Sequence, residues 1–263
     1  ACRQAGAMAQ TDHQHRFRFF HHTLSASSFC SPRFLPLLSG FLGYQHSPVY
    51  FCMATTWKFY LTSHDAWDAM YEDCASAERS IDLEQYILHY DPQMARFFDL
   101  LMAKARAGIR VRILCDMVGS YQLYESPVIR DLRDAGVQMQ FFHQISLWRM
   151  GNFTSLLFRD HRKLLIIDNT TGYTGGICLF DEAKNWRETT MRLQGPVIEE
   201  MRSAFEQMWT VAPDGKVPKH IKSAPREGFQ FLTSAPRFRQ RRLYRSFFKK
   251  LKTSRRSIYL TMP

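Results

Sequence analysis

The 263-residue chain is 45% apolar and 14% aromatic, ample for a buried core and too hydrophobic for a disordered tail. Its net charge of +11 is local: residues 216–256 carry fourteen Lys and Arg against one acid, Glu227, which leaves about −2 for the remainder. A segment so polarised suits an anionic partner, lipid headgroups or nucleic acid, or else is a solvated basic helix without a partner.

Residues 1–52 hold one acid, Asp12, many His, Arg and Ser, and no sustained period of 2 or 3.6. They read as a poorly structured N-terminal tail outside the folded domain. Within it His13, His15, His21 and His22 lack Cys or paired carboxylates, so an unstructured tract is preferred to a metal site. Residues 34–53 are apolar but broken by Pro36, Gly40, Gly43, Gln45, His46 and Pro48, a poor membrane span. The cysteines Cys2, Cys30, Cys52, Cys74, Cys115 and Cys178 contain no C-x-x-C pair. They suggest reduced thiols rather than a zinc centre or disulfide framework, and no metal or cofactor is expected.

From residue 57 short strand-like runs alternate with helical patterns. Residues 57–61 predict a strand, 65–77 a helix, and 81–88 a strand carried by Ile81, Leu83 and Ile87. Asp91 as N-cap, Pro92 at the first helical position and Gly108 past the last turn mark a second helix. In 109–116, Ile109, Val111 and Ile113 alternate with Arg110 and Arg112, which predicts a strand with one wet edge or face. Ser126-Pro127 opens a helix that Gly136 closes, residues 137–142 resume a strand, and Gly195-Pro196 opens a helix presenting Val197, Met201, Ala204, Phe205 and Met208. This alternation predicts an α/β fold, a mixed central sheet with helices on both faces, spanning 53–212.

One internal recurrence stands out. Leu61-Thr62-Ser63, an amphipathic helix and Arg79-Ser80-Ile81 return as Leu232-Thr233-Ser234, a helix carrying Tyr244, Phe247, Phe248 and Leu251, and Arg256-Ser257-Ile258. Residues 213–263 therefore read as a basic linker, helix and first strand of a second similar unit that is cut short.

The chemistry concentrates in residues 159–168, where H-x-K-x4-D lies on an apolar, strand-like run. Side chains alternate along a strand, so His161 and Lys163 share a face. An imidazole there is able to attack phosphorus while the ammonium neutralises charge on the non-bridging oxygens. Asp168 has the opposite parity to His161 and is better placed to anchor local backbone or a cation. Thr174-Gly175-Gly176 follows one short strand later, and Asn185-Trp186-Arg187-Glu188 begins another.

Together with Gly195-Pro196-Val197, these residues resemble the first catalytic motif region of bacterial cardiolipin synthases in the phospholipase D superfamily. The likeness extends across roughly Trp57 to Met262, over Ser80-Ile81-Asp82-Leu83-Glu84, Gly108-Ile109-Arg110-Val111-Arg112, Ala135-Gly136-Val137 and Arg256-Ser257-Ile258-Tyr259-Leu260-Thr261. It implies a catalytic set of His161, Lys163, Asp168 and Glu188. His161 would become a phosphohistidine or protonate a leaving alcohol, Lys163 would bind phosphate oxygens, and Glu188 would hydrogen-bond the second ring nitrogen of the histidine. Gly175, Gly176 and position 178 fall in the substrate-binding segment. Cys178 stands where the family usually has Asn, and a thiol is a weak donor, so reduced activity is expected.

The resemblance also implies two facing motifs, one histidine attacking while the other acts as general acid. The second would come from the missing C-terminal region or from a homodimer. The leading expectation is a phosphatidyltransferase acting on phospholipid phosphodiesters, peripheral to the cytoplasmic face of the membrane, its basic segment 216–256 held by anionic lipid. Competing readings are a nuclease of the same superfamily, less favoured because the aromatics of 237–248 have helical core spacing, and a catalytically impaired half that binds lipid without turnover.

Overall fold

The computed structural model describes residues 54–142, 159–214, 229–233 and 242–258. The tail 1–52, its histidine cluster, the apolar stretch 34–53 and parts of the basic run lie outside these residues. Among the described residues there are seven strands: β1 Thr56–Tyr60, β2 Ser80–Gln85, β3 Arg110–Asp116, β4 Gln138–Phe142, β5 Leu164–Ile167, β6 Thr171–Gly175 and β7 Thr190–Gln194. They form one sheet in the order β1-β7-β6-β5-β2-β3-β4. β2, β3 and β4 run parallel; every other neighbour is antiparallel.

The period of two in the strands sorts apolar side chains onto two faces. Ile81, Leu83, Val111, Ile113, Leu165 and Ile167 enter one cluster. That cluster is covered by helices α1 Ser63–Ala75, α2 Ala95–Arg106, the short α3 Tyr121–Glu125 and α4 Val128–Asp134. Leu114, Leu164, Ile166 and Leu193 point the other way, under α5 Val197–Val211 through Ile198, Met201, Phe205 and Met208. Helices thus lie on both faces of a mixed sheet, as the alternation predicts.

Local signals set the helix ends. Thr62 caps α1 by accepting from the Asp65 amide at 3.2 Å. Asp91 caps as expected, accepting from the Met94 amide at 2.9 Å, but regular helix begins only at Ala95. At the other end Gly108 has φ +88°, where a side chain would be strained. Its amide bonds the Ala105 carbonyl and that of Ile109 bonds Lys104, a Schellman closure.

Two local expectations change. Arg110 is exposed, but Arg112 is buried beneath α5. It donates to Asp82 at 2.6 and 2.8 Å and to Glu206 at 2.6 Å, so the face expected to be wet is closed by a helix that brings its own carboxylate. The stretch Asn185 to Glu188 does not open a strand either. Residues Asp181–Asn185 form a 3-10 turn and β7 starts at Thr190. Trp186 is held to the start of α1 instead, its carbonyl accepting from the Ser63 amide at 3.3 Å and its ring meeting Phe180 edge-on. Of the expected second unit, the described residues include helix α6, Arg242–Thr253; the strand expected from Arg256 does not form over the described residues up to Ile258, and residues 259–263 lie outside them.

Candidate active site

The site sits where the carboxyl ends of β2 and β3 meet the amino end of the antiparallel β5, the edge at which open α/β sheets commonly bind ligands. Regular pairing in β5 begins at Leu164, so His161, Arg162 and Lys163 form the approach to the strand, and the alternation persists through it.

Arg162 turns toward α5. Its Nε donates to Glu84 at 2.7 Å and its Nη1 to the Ala204 carbonyl at 3.3 Å, with Asp160 at 3.4 Å. Burial pushes the Glu84 carboxyl well above the usual range, against the pull of Arg162. Glu84 and Asp160 are buried and Arg162 is partly so, a charged cluster beneath the motif.

His161 and Lys163 turn the opposite way and meet on one aromatic ring. The His161 imidazole stacks on Tyr86 with centroids 3.8 Å apart and planes 22° apart. Lys163 Nζ lies 5.4 Å from the centroid of the same ring and donates to the His161 carbonyl at 3.1 Å. His161 stays exposed overall. Partial burial and then the ammonium of Lys163 hold its imidazole below the ordinary histidine range, outweighing Asp116 and Asp160. At neutral pH the ring is therefore uncharged and able to act as a nucleophile.

The glycines at the end of β6 make room for a carboxylate. A Cβ at Gly176 would lie 2.0 Å from Glu188 Oε2, and one at Gly175 would lie 2.2 Å from the Thr189 carbonyl oxygen. The Gly176 amide also donates to Thr189 at 3.1 Å. Glu188 is thereby seated directly over the bare backbone. Cys178 is buried beside it, its carbonyl accepting from Trp67 Nε1 at 3.2 Å. Burial pushes its thiol up; Lys163 pulls it down and Glu188 pushes it up further, so both charges reach this sulfur. Among the described residues no hydrogen bond joins Glu188 to His161, the pairing that the resemblance implies; the imidazole lies against Tyr86.

Asp168 stands at the far end of β5. With Asn169 it occupies the left-handed region, φ +54° and +57°, and the Thr170 amide bonds the Ile167 carbonyl at 3.0 Å, a tight turn of the kind that joins β5 to β6. Its carboxylate accepts from the amides of Glu78, Arg79 and Ser80 at 2.9, 2.7 and 2.8 Å. Burial would raise its pKa, but these three bonds prevail and hold it below the usual carboxylate range. The structure does not bring Asp168 to the ring of His161.

Two further residues shape the site and were not singled out by motif. Tyr86 follows the last residue of β2. Asp116 ends β3, fully buried, and accepts from the amides of Asp160 at 2.9 Å, Val118 at 2.9 Å and Gly119 at 3.2 Å. It ties the motif backbone to the β3–α3 loop. The available signal was position alone: an aromatic and an acid at the carboxyl ends of adjacent parallel strands.

The family model described as cardiolipin synthase, phospholipase D-like domain, matches residues 70–209. A cardiolipin synthase of Geobacillus sp. (strain WCH70) is 29% identical over 231 residues, covering 82% of this chain and 45% of that protein. Another, of Geobacillus kaustophilus (strain HTA426), is 31% identical over 213 residues, covering 76% and 42%. The chain spans a little under half the length of these curated relatives. Among solved structures, NucT from Helicobacter pylori aligns with 59% of this chain and 96% of its own, at 16% identity and TM-score 0.49.

Proposed function

The chain belongs to the cardiolipin synthase, phospholipase D-like domain family, and from that premise we propose that it supplies one active-site half of a phosphatidyltransferase working through a covalent phosphohistidine. The observation that carries this reading is the convergence of the His161 imidazole and the Lys163 ammonium on one ring at the mouth of the sheet. His161 attacks the phosphorus of a phospholipid diester, the bond to the leaving alkoxide breaks, and a general acid from the facing half protonates that oxygen. A second alcohol, giving its proton to that same group of the facing half, then displaces His161 from phosphorus. Lys163 neutralises charge on the non-bridging oxygens throughout, a contribution of about 2.7–4 kcal/mol for a well-placed donor. Asp168 serves through the backbone that it clasps, and Glu188, seated over Gly176, lines the site beside Cys178. Cys178, a buried thiol in place of the usual amide, slows rather than abolishes turnover.

The facing half comes from a second unit, in the same polypeptide or in another copy. α6 supports the first source. Matching Arg256-Ser257-Ile258 to Arg79-Ser80-Ile81 sets Leu243, Tyr244, Phe247 and Leu251 opposite Ala66, Trp67, Met70 and Cys74, the core-facing residues of α1. The basic run around α6 favours an anionic bilayer as the working surface, with peripheral attachment at its cytoplasmic face. No helix of the described residues is long and apolar enough to cross a membrane.

The test incubates the native protein with radiolabelled phosphatidylglycerol vesicles and separates the lipids. Transfer or hydrolysis products and a labelled phosphoenzyme are expected, both lost in His161→Asn. Absence of product together with absence of label on His161 overturns the proposal. Cleavage of single-stranded DNA without lipid turnover would move the activity to nucleic acid.

A further inference from the structure

We propose that Tyr86 is a positioning residue for the phosphate-handling pair: its ring fixes the His161 imidazole and the Lys163 ammonium relative to one another. The inference rests on the reading of those two side chains as the groups that meet phosphate.

Three observations lead to it. First, one ring serves both groups: the imidazole lies nearly parallel to it at 3.8 Å and the ammonium is 5.4 Å from its centroid. Stacking restricts rotation of the imidazole about its side-chain bonds, so its ring nitrogens stay at the edge of the stack. The ring quadrupole attracts the ammonium from the same platform. Among the described residues neither His161 nor Lys163 forms a side-chain ion pair with an acid; beside the bond from Lys163 Nζ to the His161 carbonyl, the aromatic ring is the contact that the two side chains share.

Second, Tyr86 is itself held from behind. Its carbonyl accepts from Ser120 Oγ at 3.1 Å, and the same hydroxyl accepts from the Leu88 amide at 3.1 Å. Gly119 packs so closely that a Cβ would lie 2.2 Å from the Tyr86 oxygen and 3.1 Å from its ring carbon Cδ2. A side chain at 119 would collide first with that carbonyl and so shift the Tyr86 backbone that carries the ring.

Third, the brace and the motif share an anchor. Asp116 accepts from the Gly119 amide with one oxygen and from the Asp160 amide with the other. The platform and the pair that it carries are thereby referenced to one buried carboxylate, and the separation between them is set by β3 rather than by mobile side chains. A Tyr at this position supplies a flat surface wide enough for two neighbouring cationic or protonatable groups. Leu has similar apolar character but no π face and no flat edge.

The test uses the full chain and two readouts. Proton–carbon NMR assigns the His161 ring signals by their loss in His161→Asn. In wild type and Tyr86→Phe these ring protons are expected upfield, under the ring current of the stacked aromatic, and in Tyr86→Leu near their random-coil positions. Titration with inorganic tungstate, a phosphate mimic, then follows the same signals. Tyr86→Leu is expected to weaken tungstate binding about 10-fold, the combined scale of a stacking and a cation–π contact, while Tyr86→Phe stays within about 2-fold. Gly119→Ala, folded by circular dichroism, is expected to reproduce the Leu variant without altering Tyr86 itself.

If tungstate fails to perturb His161 in wild type, the phosphate reading of the pair falls. If tungstate binds wild type and Tyr86→Leu equally well, with the His161 signals unmoved, the positioning role alone is overturned. A loss shared equally by the Phe and Leu variants overturns it too, because the hydroxyl rather than the ring would then be responsible.

Discussion

The two sides of the motif segment make opposite use of charge. On the side of α5, Arg162 lies between the buried Glu84 and Asp160, its Nε 2.7 Å from the first carboxyl and 3.4 Å from the second. On the other side, His161 and Lys163 face an aromatic ring and solvent. Residues adjacent in sequence are thus divided by the alternation of an extended chain into a set that holds the sheet to its helix and a set available to a ligand. H-x-K spacing puts the imidazole and the ammonium on one side, while the intervening residue secures the strand that presents them.

The sharpest way to break this contrast is through Arg162. Arg162→Met leaves Glu84 buried without its partner, and a loss of about 3–5 kcal/mol in urea unfolding is expected. Adding Glu84→Gln should recover much of it, since the orphaned ionisable carboxyl is then removed. An Arg162→Met variant that unfolds like wild type yet loses activity would erase the division between the two sides.

A middle-sized effect belongs to Asp168, the far end of the same segment. Asp168→Asn disturbs three amide bonds and is expected to cost about 1–3 kcal/mol at pH 7. The sign of its pH dependence follows from its depressed pKa. The carboxylate contributes stability above the unfolded value near about 3.9, and loses it as pH falls through the folded one. The gap between wild type and Asp168→Asn in urea unfolding should therefore narrow below about pH 4. A gap constant down to pH 2 would contradict the clasp.

The smallest stability effect is expected at Lys163. Lys163→Met should alter unfolding by no more than about 0.5 kcal/mol while lowering turnover about 10²–10³-fold. It also removes a positive neighbour from His161, so the NMR titration midpoint of that histidine, below the ordinary value of about 6.5 in wild type, should move up. A downward move would mean that Lys163 does not bear on the imidazole.

Periodicity and punctuation carried the fold a long way. The α/β character, the helices over Ser63–Ala75 and Val197–Val211, the Asp91 cap and the Gly108 closure are local features, set by contacts within a few residues, so local sequence suffices. The same holds for the shared face of His161 and Lys163, which needs only an extended backbone between them. What no window of sequence contains is the order of strands in the sheet. Arg162 meets Glu84 across 78 residues, and the Asp160 amide meets Asp116 across 44. Only the placing of β5 beside β2 brings Tyr86 under the imidazole, and only α5 closing over β3 makes Arg112 a buried residue. Gly175 and Gly176 stand out in the sequence, but the room they leave for the Glu188 carboxylate and the Thr189 backbone depends on a neighbouring segment that leads into β7. Sequence alone determined which residues share a face; the tertiary structure decided what each face meets, because side-chain alternation is a property of one strand and apposition is a property of several.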